Sequence, residues 1–73
     1  MVLPDEELEK FILSKVGPYP KKVAFVVGAA ILKFDISEEQ AALAIYAMCE
    51  AGQLKPYGNI SNWRHSEISL PDA

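Results

Sequence analysis

The chain has 73 residues, a formal charge of −3 and a hydrophobic content of 51%, with a mean hydropathy of +0.10. That composition excludes an intrinsically disordered chain, which needs low hydrophobicity and high net charge, and the single cysteine, Cys49, excludes an internal disulfide scaffold. The longest apolar runs, 23–32 and 41–49, fall well short of the roughly 20 residues of a membrane span, and Met-Val-Leu-Pro followed by acids does not read as a signal peptide; the expectation is one cytoplasmic domain over residues 1–73.

A first helix is expected over 5–16. Pro4, Asp5, Glu6 and Glu7 crowd its start, where a fixed φ and negative charge suit the exposed N–H groups. Leu8, Phe11, Ile12 and Val16 form its buried stripe, and Gly17-Pro18 ends it. A second helix follows from Pro20 or Lys21 to Lys33. Val23, Val26, Val27, Ala30, Ile31 and Phe34 share one face, while Phe25, Ala29 and Leu32 share another, so the helix is apolar over more than half its circumference. Gly28 inside it suggests a close helix approach, since glycine costs about 1 kcal/mol against alanine there.

Asp35-Ile36 separates this helix from a third. Ser37-Glu38-Glu39-Gln40 has the pattern of a capping box, and Gly52 is a natural left-handed stop after Ala51. Beyond it the period changes. Residues 53–57 and 64–70 read as two short strands, with Ile68 and Leu70 alternating against Ser66 and Ser69. Gly58, Asn59 and Asn62 mark the loop between them. The expected fold is α+β: a three-helix helix-turn-helix core followed by a C-terminal β-hairpin, winged-helix-like, with 58–63 as the wing.

The C-terminal third carries a fairly specific pattern: Gly58-Asn59-Ile60-Ser61, Arg64, Ser66-Glu67-Ile68, Leu70-Pro71. With Lys22-Val23-Ala24, Val27-Gly28 and Glu50-Ala51-Gly52-Gln53-Leu54, it resembles a family of uncharacterised bacterial winged-helix-like domains of unknown function over about residues 20–71. The resemblance implies a small winged-helix-like fold and supplies no activity. Many members of that family carry arginine near the middle of the third helix, where this chain has Ala44.

A winged helix invites a nucleic-acid reading, in which the second helix of the pair enters the major groove. Such a helix should present Arg, Lys, Asn or Gln. Here 34–54 contains no Lys or Arg and the four acids Asp35, Glu38, Glu39 and Glu50, a sign that phosphates repel. Candidate nucleic-acid contacts on this alternative reading, a transcriptional regulator, are Lys21, Lys22, Lys55, Arg64 and His65. The leading expectation is a non-enzymatic protein-interaction domain that self-associates. A chain this short buries only about 60% of its unfolded surface, too little to cover helices 2 and 3 all round. Candidate interface residues are Phe25, Ala29 and Leu32, then Leu43, Tyr46 and Ala47, with Trp63 and Arg64 in the wing. Trp63 has two readings, a side chain folded back on the helices or an exposed anchor, and Arg64 is a possible ion-pair partner of Glu67.

Catalytic chemistry is not expected. His65, Ser66 and Glu67 are adjacent and, on a strand, would point to alternate faces. Cys49 sits in an apolar helix without a neighbouring base. No Cys/His spacing suits zinc, the glycines are too dispersed for a phosphate loop, and no cofactor is implied.

Overall fold

The computed structural model describes residues 5–71. The elements follow in the order α1 (Asp5–Lys15), β1 (Lys21–Lys22), α2 (Val23–Phe34), α3 (Glu38–Glu50), β2 (Lys55–Tyr57), a 3-10 segment (Ile60–His65) and β3 (Glu67–Ser69). The fold is α+β. Three helices enclose one core, and the three strands form a small antiparallel sheet in the order β1-β3-β2. The part expected of Pro4 at the start of α1 lies outside the described residues.

The core is the sum of the inward stripes. Leu8, Ile12 and Val16 come from α1 and the residue after it. Val23, Val26, Val27 and Ala30 come from α2, Ala41, Ile45 and Met48 from α3, and Leu54 and Ile68 from the C-terminal part. Phe11 and Phe34, both half-buried, meet edge to face with ring centroids 5.3 Å apart and close the seam between α1 and α2.

The α3 boundaries follow from local chemistry. Ser37 Oγ accepts from the Gln40 N–H at 3.1 Å, and Gln40 Oε1 accepts from the Ser37 N–H at 2.9 Å. These reciprocal bonds form the expected capping box. At the other end Gly52 takes φ +80. The Gly52 N–H donates to Cys49 O at 3.1 Å and the Gln53 N–H to Met48 O at 2.9 Å, a Schellman closure that reverses the chain and delivers Leu54 into the core.

Three expectations are corrected. The second helix starts at Val23, because Lys21 and Lys22 are extended and pair with Ile68 and Glu67 of β3. Two lysines are poor first residues for a helix, whose N-terminus repels cations, and the sheet offers their backbone a partner. The C-terminal strands therefore form two members of a three-stranded sheet rather than an isolated hairpin. The loop after β2 is a 3-10 segment kinked at Asn62, and the last strand is limited to Glu67–Ser69. Asn59 Oδ1 nucleates that segment by accepting from the Ser61 N–H at 3.0 Å and from Ser61 Oγ at 2.6 Å. The buried Ser66 hydroxyl then ties it down, donating to Asn59 O and Asn62 O at 2.5 and 2.9 Å. Finally, a Cβ built on Gly28 meets no atom within 4 Å, so close packing inside the fold does not require that glycine.

Candidate interaction surface

Burying one stripe of α2 leaves the other outward. Phe25 is 59% and Leu32 88% exposed, with the half-buried Ala29 between them at helical spacing. On α3, Leu43 is 62% exposed, Ala47 is exposed and Tyr46 is half-buried. Both helices therefore carry large apolar groups on their outer faces, as the two-faced patterning predicts. Tyr19, in the connector before β1, is 79% exposed. It was not among the candidate residues, and its neighbours Pro18 and Pro20 give no periodic signal that would select it.

Cations border the α2 stripe. The Lys21 Nζ lies 4.7 Å from the centre of the Phe25 ring, a cation–π contact made possible because β1 ends where α2 begins. Lys33 directly follows Leu32 and is exposed. The outer face of α3 has the opposite sign, with exposed Glu39 and Glu50 on either side of Leu43 and Ala47.

Trp63 is half-buried and packs against the core from the 3-10 segment, which lies on α2. Folding back satisfies most of its indole area, so its outward part is smaller than an exposed anchor would present. The Arg64 guanidinium stacks on the Trp63 ring at 4.3 Å. Its ionic partner is Glu38, at 3.3 Å from Nη2 to Oε1, and not Glu67 as the sequence suggested. The 3-10 segment brings Arg64 to the first turn of α3, where Glu38 stands.

The candidate nucleic-acid contacts divide. Lys22, Arg64 and His65 line one shallow depression together with Ser66 and Glu67. Lys21 is turned to Phe25. Lys55, on β2, lies over the Tyr57 ring at 5.6 Å and is paired in register with Ser69. His65 closes the 3-10 segment rather than sitting on a strand, and the adjacent Ser66 hydroxyl is a buried donor to two carbonyls.

Cys49 is half-buried, and burial raises its thiol pKa above the ordinary value, which disfavours the reactive thiolate. Ala44 is half-buried and packs against the core. Among the described residues no group of three His, Cys, Asp or Glu side chains could hold a metal ion, and no helix is long and apolar enough to cross a membrane. In comparisons with known proteins, no family model, no curated protein and no solved structure matches the chain.

Proposed function

We propose that this chain is a non-enzymatic protein-interaction domain of the cytoplasm, winged-helix-like in architecture and related to the bacterial family that the Gly58–Pro71 pattern resembles, and that its partner is a second copy of itself. The observation that carries the reading is the exposure of Phe25 and Leu32 on a single stripe of α2, with Leu43 exposed on the neighbouring α3. Scattered exposed apolar residues are ordinary, but several large ones on adjacent helices mark an interaction surface. The winged-helix reading is supported by β2 and β3, which follow the helices and join β1, between α1 and α2, in one β1-β3-β2 sheet, and by the 3-10 segment standing in the place of a wing.

Each of the Phe25 and Leu32 side chains contributes roughly 1.5–3 kcal/mol when it leaves water. A twofold contact counts each residue twice. Association itself costs at least about 4 kcal/mol in lost rigid-body freedom, so the expected product is a modest dimer. Size-exclusion chromatography with light scattering at several loading concentrations tests it. A mass that climbs toward twice the monomer supports self-association, and a constant monomer mass refutes it.

A second reading, a nucleic-acid-binding regulator, is favoured by the grouping of Lys22, Arg64 and His65 around one depression. It is the weaker of the two, because Glu38 already neutralises Arg64, Glu67 shares the depression, and α3 offers no cation to a phosphate.

A further inference from the structure

We infer that the self-contact is heterologous in its parts: the outer stripe of α2 from one copy seats on the outer stripe of α3 from the other, and two such contacts about a twofold axis close a dimer. This deepens the self-association proposed above and rests on it. The two faces are complementary in charge and similar in length.

The α2 stripe is apolar in the middle, with Phe25, Ala29 and Leu32, and basic at both ends. Lys21 and Lys22 stand at its start, with Lys21 lying on the Phe25 ring at 4.7 Å, and exposed Lys33 stands at its finish. No acid occurs between Lys21 and Phe34. The α3 stripe is the inverse. Leu43, 62% exposed, Tyr46 and Ala47 form its middle, and Glu39 and Glu50 stand at its ends. Positions 39, 43, 46 and 50 recur at helical spacing and so share one face. Glu38, the remaining acid of the first turn, is already paired with Arg64 inside the chain and is not needed.

The two faces also agree closely in length. Lys21 and Lys33 are 12 residues apart and Glu39 and Glu50 are 11, the latter about 16 Å along an α-helix. Cation-apolar-cation set against anion-apolar-anion is complementary whether the helices run parallel or antiparallel. An α2–α2 contact would oppose lysines to lysines, and an α3–α3 contact would oppose glutamates to glutamates. Like charges brought together at an interface suppress those pairings, so the sign pattern selects α2 against α3. Because α2 and α3 pack on one another within each chain, one copy can offer both faces to the other.

A charge-exchange experiment tests the inference. In the first variant, Lys21→Glu/Lys33→Glu, the α2 face becomes acidic. In the second, Glu39→Lys/Glu50→Lys, the α3 face becomes basic. Sedimentation equilibrium of each variant alone should give monomer at concentrations where the wild type associates. An equimolar mixture should regain a 1:1 dimer, because the acidic α2 face of the first variant meets the basic α3 face of the second in one contact, and the acidic α3 face of the first meets the basic α2 face of the second in the other. Recovery in the mixture also shows that both variants are folded; circular dichroism of each alone provides the same control, and Lys33→Glu with Glu50→Lys replaces the double variants if either is unfolded. A wild type that stays monomeric overturns the self-association reading itself. A wild type that dimerises while either folded variant alone still dimerises, or while the mixture stays monomeric, overturns only the α2–α3 pairing. Wild-type species that keep growing beyond a dimer overturn the twofold closure.

Discussion

Arg64 reaches across the fold to Glu38, its Nη2 3.3 Å from the carboxylate Oε1, and so joins the 3-10 segment before β3 to the first turn of α3. The acid also stands where the helix dipole favours negative charge. Both side chains are more than half exposed, and such pairs contribute about 0–1 kcal/mol. Arg64→Ala is therefore expected to lower stability by about 0.5 kcal/mol or less in urea unfolding. The small loss should shrink further as salt rises, because exposed pairs are screened. A loss well above 1 kcal/mol would mean that stacking of the guanidinium on Trp63, at 4.3 Å, rather than the ion pair holds the segment.

The cap of α3 carries a larger expected effect. Ser37 Oγ satisfies the Gln40 N–H, and Gln40 answers with its own side chain. Ser37→Ala should destabilise the protein by about 1 kcal/mol, and Ser37→Gly by only a few tenths. Chemical denaturation of the two variants side by side measures the difference. Equal stability of wild type and Ser37→Ala would show that the reciprocal bonds contribute nothing net.

Cys49 supplies a pH-dependent check on the packing of α3. Burial raises its pKa, so the folded protein holds the thiol proton more tightly than the unfolded chain does. The stability this contributes is full below the unfolded-state pKa and is lost as pH rises through the folded one. Alkylation by iodoacetamide at mildly alkaline pH should accordingly be slower than for a free thiol and should accelerate sharply in denaturant. A rate equal to that of a small-molecule thiol in the folded protein would show Cys49 open to solvent.

Duplex DNA should bind weakly and without sequence preference at about 150 mM salt. Few phosphates can be neutralised when Lys22 shares its depression with Glu67, Arg64 is paired with Glu38 and α3 presents glutamates. Fluorescence anisotropy with a random-sequence duplex, at low and then physiological salt, reads this directly. Tight, sequence-selective binding at the higher salt would establish the regulator reading in place of the interaction domain.

The three helices were legible from periodicity, and in α1 and α3 end signals coincide with it. Ser37, Gln40 and Gly52 bracket α3 by chemistry confined to a few neighbouring residues, and the inward stripe of α2 is visible as spacing alone. The exposed faces were legible for the same reason, since Phe25 and Leu32 fall off the stripe that the core takes. What was hidden depends on contacts distant in the chain. Lys21-Lys22 has no strand pattern of its own and becomes β1 only because Glu67 and Ile68 are brought beside it. The partner of Arg64 could not be chosen from its neighbourhood, where Glu67 is nearer in sequence than Glu38. Asp35 ends α2 in the left-handed region at φ 55, a conformation that glycine usually supplies, so that stop had no glycine to announce it. The retreat of Trp63 onto the core likewise required knowing that residues 60–65 coil into a 3-10 segment instead of extending.

The central claim is that the outer stripe of α2 is a contact between copies, and Phe25 is its most substantial exposed side chain next to a cation. Sedimentation equilibrium of the wild type and of Phe25→Lys, over the widest soluble concentration range, tests it most directly. The account predicts that the wild-type mass rises with concentration toward a dimer, and that Phe25→Lys stays monomeric with an unchanged circular dichroism spectrum. A wild type that is monomeric at the highest concentration, or a folded Phe25→Lys variant that dimerises as strongly as the wild type, would contradict it.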